Sequence, residues 1–383
     1  MFAAALSQHP VPAEAVGEVV GSVLDQVGPG PDVAVLFASP GLAGAMEDIA
    51  ATVRAILTPG VLVGATASTV IGGGREVDDG PALALWAGPA PGAQAVRLDA
   101  VTAPGGVQVR GLPAAAGEGG PRTLLLLADP FSLPTDGLLE GMGRDLPELA
   151  VVGGLASAAR GPGGNRLVLD GEVRSHGAVG VLFPPGAAVT SLVSHGCRPV
   201  GGPMIVTEVD GSVLLGLAGQ PALDRLVEVA RAIAPDDRHL FEAGPQVGVV
   251  VDEAKATFGT GDFLIRDVVG ADADRRGVAV GARVEVGTTV QFHVRDADSA
   301  DDDLRRLLAE VDDDPPVTGA LLFSCSGRGR AFFGEPDHDA GLVAGLAGPA
   351  VAGMACAGEI GPIGPRSHLH GYTASVLLVR SDP

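Results

Sequence analysis

The chain has 383 residues, enough for two or three domains with a sizeable core, and 46% of them are hydrophobic against 19% charged, which excludes a disordered chain. Its 25 basic and 46 acidic residues leave a net charge of −21, so a polyanionic backbone is repelled; with aromatics at 3%, no stacking platform for single strands can be assembled either, and nucleic acid is not expected as a partner. The 58 glycines and 30 prolines fall between apolar runs rather than in a three-residue period, which excludes a collagen-like helix and points to many short elements.

No apolar run reaches the roughly 18–20 residues of a membrane span, and Met1 to Pro12 lacks the basic and apolar regions of a signal peptide, so a cytoplasmic protein without a membrane partner is expected. Cys197, Cys325 and Cys356 form an odd, sparse set unlike a disulfide framework and are expected to be free thiols.

In chain order, Val16, Val19, Val20, Val23 and Leu24 trace one face of a helix between Pro12 and Gly28. A strand at Val33 to Phe37 follows, then a helical face of Leu42, Met46, Ile49, Val53 and Ile56, a strand at Val61 to Gly64, the link Gly72-Gly73-Gly74, and a strand at Ala82 to Trp86. The same order recurs. Leu124 to Ala128 leads through Leu138, Leu139, Met142 and Leu146 to Val151-Val152-Gly153-Gly154 and a strand at Ala178 to Phe183. Ala320 to Cys325 leads through Leu342, Val343 and Leu346 to Val351-Ala352-Gly353 and a strand at Thr373 to Val379. Aligning these three copies by their strands makes Ser39, Asp129 and Cys325 equivalent, and likewise Ala67, Ala156 and Cys356, three residues past an equivalent glycine.

Between the second and third copies the pattern alternates. A hairpin is expected at Met204 to Leu214 around Asp210-Gly211, then a helix carrying Leu223, Leu226, Val227 and Ala230, and strands at Val247 to Val251, Phe263 to Val268 and Val290 to Val294. An acidic helix capped by Ser299, with Leu304, Leu307, Leu308 and Val311 inward, runs to Asp312-Asp313-Asp314-Pro315-Pro316. A soft domain boundary is placed at Pro184-Pro185-Gly186, giving domains 1–185 and 186–383.

If each strand-helix-strand passage is a right-handed parallel crossover, the loops after its two strands emerge at one sheet edge, where open α/β sheets bind ligands. In the third copy those loops hold Ser324, Cys325, Ser326, Gly327 and Arg328, and Cys356, Gly358 and Glu359. There Arg328 or Arg330 could clamp a carboxylate and Glu359 an amine; alternatively Arg328 is paired internally to Glu359 or Glu335. A thiol nucleophile at Cys325, activated by His370 or Arg328 with Glu359 orienting the base, is a second chemistry. No Cys-x-x-Cys occurs, and His368 and His370 are two residues apart, so no metal is expected. His9, His176, His239, His293 and His338 stand alone, without an orienting carboxylate pattern. Gly72-Gly73-Gly74-Arg75 lacks the ending of a phosphate loop, which disfavours nucleotide cofactors, and no cofactor is expected.

The stretches Leu36 to Pro40, Val63 to Gly72, Arg75-Glu76-Val77 and Pro81 to Trp86 resemble the N-terminal domain of the FIST family, named for F-box and intracellular signal transduction proteins. Gly319 to Arg330, Gly353 to Pro362 and His370-Gly371-Tyr372-Thr373 resemble the FIST C-terminal domain. The resemblance implies an intracellular sensory module that binds small ligands such as amino acids and is sometimes joined to signalling or ubiquitin-ligase adaptor regions. No F-box or output pattern is read here, so a stand-alone sensor working through a separate signalling protein is expected.

The resulting expectation is an α/β protein of two domains, built of mixed β-sheets covered by helices with a repeated strand-helix-strand-strand unit. It binds a small polar ligand at Ser324, Cys325, Ser326, Gly327, Arg328, Cys356, Gly358, Glu359, His370 and Thr373. The alternatives are a hydrolase or transferase using Cys325, and a scaffold whose acidic surface meets a basic protein.

Overall fold

The computed structural model describes residues 1–104, 106–114, 120–312 and 314–380; Asp313 of the acidic run lies outside them. The first copy comprises β1 (Ala3–Ser7), α1 (Pro12–Val27), β2 (Val33–Ala38), α2 (Met46–Leu57), β3 (Val61–Thr66), the hairpin β4 (Val70–Gly72) and β5 (Arg75–Val77), and β6 (Leu83–Gly88). The second comprises β7 (Gln94–Ala103), β8 (Gly106–Arg110), β9 (Arg122–Ala128), α3 (Thr135–Asp145), β10 (Leu149–Leu155), the hairpin β11 (Leu167–Leu169) and β12 (Glu172–Arg174), and β13 (Ala178–Phe183). The third opens with β14 (Val189–His195). It is then interrupted by β15 (Cys197–Asp210), β16 (Val213–Leu217), β17 (Gln220–Pro221), α4 (Ala222–Ala232), α5 (Arg238–Glu242), β18 (Gln246–Val250), β19 (Phe263–Asp272), β20 (Gly277–Val280), β21 (Thr289–Arg295) and α6 (Ala297–Ala309). It resumes with β22 (Val317–Cys325), α7 (Arg330–Phe333), α8 (His338–Ala347), β23 (Val351–Cys356), the hairpin β24 (Glu359–Ile363) and β25 (Arg366–His370), and β26 (Thr373–Arg380).

Two compact units result: Met1–Val193, Leu304–Leu369 and Thr373 onward form one, and Ser194–Asp303 with His370–Tyr372 form the other. In the first unit every copy builds the same sheet. β2 and β3, β9 and β10, and β22 and β23 pair in parallel across a helix, while β6, β13 and β26 run antiparallel on the other side of β2, β9 and β22. The three sheet orders are β1-β6-β2-β3-β11-β12, β8-β7-β13-β9-β10-β24-β25 and β14-β26-β22-β23-β4-β5. The hairpins are therefore exchanged in a ring: that of the first copy completes the third sheet, that of the third completes the second, and that of the second completes the first. Each covers a strand edge that the parallel crossover leaves open, and an open edge is a template for unwanted pairing.

Period-two alternation explains how three sheets share one interior. Val33, Val35 and Phe37, Leu125 and Leu127, and Leu321 and Phe323 meet in a single core with Trp86, Phe183, Met354 and Cys356. The alternate residues face helices: Ala34 and Leu36 meet α1 and α2, Leu124 and Leu126 meet α3, and Ala320 and Leu322 meet α8 with Leu304 and Leu308. Trp86 Nε1 donates to Ala350 O at 3.1 Å, tying the first copy to the third inside that core.

The strand alignment of the three copies matches the ladder registers. Ala38 pairs with Thr66, Ala128 with Leu155, and Cys325 with Cys356, so Ser39, Asp129 and Cys325 each stand beside Ala67, Ala156 and Cys356 respectively. The equivalent glycines are explained by close approach: a Cβ at Gly64, Gly153 or Gly353 would lie 2.6, 2.0 or 1.9 Å from the carbonyl oxygen of Leu36, Leu126 or Leu322.

The second unit is an antiparallel sheet ordered β15-β21-β18-β19-β20-β16-β17, and an additional pairing of β15 with β16 closes it on itself. Its core gathers Val206, Leu214, Val247, Val278, Val290 and Phe292.

Three local expectations change. Ile56 and Val227 are exposed, and Leu57 takes the buried position at the end of α2, because each expected stripe ran slightly past the face the sheet covers. Ser299 lies inside α6, where its hydroxyl donates to Asp296, and the Asp296 carboxylate stands at the helix start. No helix among the described residues is long and apolar enough to cross a membrane, which leaves membrane-spanning strands unaddressed.

Candidate functional site

The position just past the first strand of each copy is used twice for structure. Ser39 Oγ accepts the Ala82 N–H at 2.9 Å, fastening the end of β2 to the start of β6. Asp129 is fully buried and accepts Ser132 Oγ at 2.7 Å and Asn165 Nδ2 at 2.9 Å. Both are polar groups satisfied within their own copy. In the third copy the residue is Cys325, whose thiol is only half-buried.

β22 ends at Cys325 and the chain turns tightly. Ser326 N–H donates to Cys356 O at 3.1 Å and Arg328 N–H to Cys325 O at 2.8 Å, so the loops after β22 and β23 do emerge at one sheet edge. The turn sends Arg328 inward, where its side chain is 1% exposed, against Asp339 at the start of α8, 2% exposed. Arg328 Nε donates to Oδ2 at 2.7 Å and Nη2 to Oδ1 at 2.9 Å, a two-point fork. Ser324 Oγ adds a hydrogen bond to Oδ2 at 2.8 Å, and His338 Nδ1 stands 3.1 Å from Oδ1. Burial alone would push the Asp339 carboxyl up, but the Arg328 charge and these hydrogen bonds hold it well below the usual carboxylate range.

This corrects the expected partner of Arg328, which is neither Glu359 nor Glu335. It also corrects the reading of His338 as solitary: its ring stacks on Phe333 with centroids 3.6 Å apart, beside the carboxylate. Arg328 keeps one nitrogen, Nη1, that is buried without a hydrogen-bonding partner.

Glu359 begins β24 and is fully buried. Its Oε2 accepts the Thr373 N–H at 3.1 Å and the Thr373 hydroxyl at 2.9 Å, while Oε1 is buried without a partner. Burial raises the carboxyl to about 8 against the opposing pull of Thr373, Arg328 and the Cys325 thiol; the thiol favours the charged form without satisfying Oε1 geometrically. Cys356 is sealed in the core, and burial, with Glu359 and Cys325 nearby, pushes its thiol well up, so it is a neutral packing group. The Gly358 carbonyl accepts Leu155 N–H at 2.9 Å, a tie to the second copy.

Of the ten expected site residues, then, Ser324, Cys325, Arg328, Cys356, Glu359 and Thr373 gather at the ends of β22, β23 and β26, with Gly358 beside them. Ser326 is exposed and Gly327 half-buried on the turn, and with Cys325 they are the accessible part; the inner side chains pack on one another. His370 belongs to the second unit, buried edge-on to His195 with centroids 5.9 Å apart.

The residues missed at the sequence level are Asp339 and Glu76. The exchanged hairpin carries Glu76 to α8, where its Oε1 accepts the Ala340 N–H at 2.9 Å and its own N–H donates to Asp337 Oδ1 at 2.7 Å. Burial, with the charges of Asp339, Asp78 and Asp337, raises Glu76 to about 7. The one available signal was an aspartate in the first turn of α8, which dipole complementarity already explained.

The two raised carboxyls make stability depend on pH. Their folded pKa values lie above the ordinary 4.5, so the stabilisation they contribute is complete below that value and is lost as pH rises through about 7 for Glu76 and about 8 for Glu359. Urea unfolding is expected to show a loss of a few kcal/mol between about pH 5 and pH 9, at no more than about 1.4 kcal/mol per pH unit for each group. Glu359→Gln and Glu76→Gln should each flatten that slope, and an unchanged slope in the double variant would contradict the assignment.

The FIST N domain matches residues 32–220 and the FIST C domain residues 222–362. A protein of Mycobacterium tuberculosis, described only as uncharacterized, is 43% identical over 383 residues, covering 97% of this chain and 98% of its own. Another of Mycobacterium bovis, described in the same way, is 41% identical over 374 residues, covering 96% of each chain. With the two domain matches adjoining and relatives of this identity along nearly the whole length, the protein belongs to the FIST family.

Proposed function

We propose that the protein is a sensor whose ligand is a small zwitterion such as an amino acid, taken up at the third copy's strand ends. The observation that carries this reading is the pair of buried, unpartnered atoms there, Arg328 Nη1 and Glu359 Oε1. A buried polar atom without a partner costs about 1–3 kcal/mol, and a ligand carboxylate and ammonium would recover that cost at both atoms. Entry is past the accessible turn of Cys325, Ser326 and Gly327. Output would pass through a separate signalling protein in the cytoplasm, consistent with the family's association with signal transduction.

A thermal-shift screen of amino acids tests it, since a ligand at 100 times its dissociation constant stabilises by about 2.7 kcal/mol. An ammonium group prefers the charged carboxylate, so affinity should rise as pH climbs to about 8 and level off above it. Glu359→Gln, which keeps an acceptor for Thr373, should remove both the affinity and its pH dependence. No shift with any amino acid, or full binding by that variant, rejects the proposal.

A second reading, thiol chemistry at Cys325, is favoured by the half-exposed thiol beside a carboxyl poised near neutrality. Alkylation by iodoacetamide that accelerates through about pH 8 and is lost with Glu359→Gln would support it.

A further inference from the structure

At the other end of the first unit's core a pocket of about 460 Å3 opens where the last strands of all three copies finish. Phe2, Ala90, Phe183 and Val379 line it and belong to the shared core, and Pro184 and Arg380 stand with them. Its volume falls within the roughly 300–1,000 Å3 of clefts that hold small molecules. The site is distinct from the Cys325 cluster. On β22, Val317 pairs with Arg380 and Ser324 with Ala374, seven residues apart, or roughly 23 Å at about 3.3 Å per residue.

The chemistry of the lining is lopsided. In a chain with 46 acidic residues, no acidic side chain among the described residues lines this pocket, and the only charged side chain among them is Arg380. Three buried or half-buried arginines elsewhere are neutralised: Arg174 by Asp99 at 2.7 Å, Arg198 by Asp296 at 2.7 Å and Arg328 by Asp339. Arg380 has no carboxylate partner among the described residues; its side chain donates only from Nη1, to Pro315 O at 2.6 Å. Three backbone N–H groups at the pocket are already taken, Ala90 N–H by Asp32 Oδ2, Ala187 N–H by Pro184 O and Val189 N–H by Ala187 O. Apolar side chains with the uncompensated Arg380 guanidinium at their rim suit a ligand with an apolar body and a negative charge.

We propose that this pocket binds a small apolar acid anion, an aliphatic or aromatic monocarboxylate. Its body lies against Phe2, Phe183 and Val379, and its carboxylate takes the remaining N–H groups of Arg380. Phe2 is stacked on Trp86 with ring centroids 4.5 Å apart, and Trp86 is the only tryptophan of the chain, so occupancy has a built-in fluorescence reporter.

The test is calorimetric titration of the full chain with decanoate, phenylbutyrate and the neutral amide of each, with Trp86 emission followed in parallel. The acids are expected to bind about tenfold or more tightly than their amides, the worth of charge-assisted hydrogen bonds. Arg380→Gln should lose that advantage while leaving amide binding unchanged. Ala188→Phe, which fills the pocket from its half-buried rim, should abolish binding of both, with the urea midpoint confirming that each variant is folded. Glu359→Gln should bind the acids as wild type does. Absence of binding by either acid, equal affinity in wild type and Arg380→Gln, or undiminished binding in Ala188→Phe would overturn the proposal.

Discussion

Gly353→Ala is expected to leave the chain unable to reach its native state, with a loss above about 4 kcal/mol, in the range that only backbone collision or severe core disruption produces. The cause is the backbone oxygen of Leu322, 1.9 Å from where the new Cβ would sit. That oxygen belongs to the register partner in β22, and no side-chain rotation can move it aside. Gly153→Ala should behave similarly, with a 2.0 Å approach to Leu126 O and a φ of +143° that disfavours any side chain. Gly64→Ala, with a 2.6 Å approach, should be the mildest of the three. Soluble yield and urea unfolding of the three variants give the ranking, and a Gly353→Ala protein as stable as wild type would invalidate the parallel register of β22 and β23.

Arg328→Leu is expected to cost about 3–5 kcal/mol, the usual consequence of leaving a buried charge without its partner. Asp339 would remain 2% exposed with only Ser324 and His338 against it. The double variant Arg328→Leu with Asp339→Leu should recover most of the loss, because apolar groups of similar volume replace a buried ion pair at little net cost. The pH dependence separates this from a packing defect. In the wild type Asp339 is held below the ordinary carboxylate range, so its contribution is present above about pH 4 and is lost as pH falls below that. In Arg328→Leu the carboxyl accepts a proton readily, so the penalty should shrink on acidification. A single-variant cost under about 1 kcal/mol, or a double variant no better than the single, would show that the fork does not carry the site's stability.

Much of the first unit is legible in local pattern. Apolar alternation and helical spacing mark the strand-helix-strand passages, and the recurrent glycines align Ser39, Asp129 and Cys325 in the register that the ladders adopt. That works because a strand's faces and a crossover's direction are decided within about thirty residues of chain. The short hairpins are a different case. β4 and β5, or β11 and β12, have three residues each, too few to display a period. Their partners are strands of another copy, so no local preference names them.

The same division runs through the candidate site. The sequence alone determined that Cys325, Arg328 and Glu359 lie at or beside strand ends of one repeated unit, since position along a periodic element is a local property. Only the tertiary structure decided that Arg328 is held by Asp339, that Glu359 supports Thr373, and that Glu76 arrives on a hairpin from the first copy. Desolvation in a shared interior selects those pairings, because burial imposes a cost on every unmatched polar group while leaving no trace in the spacing of residues along the chain.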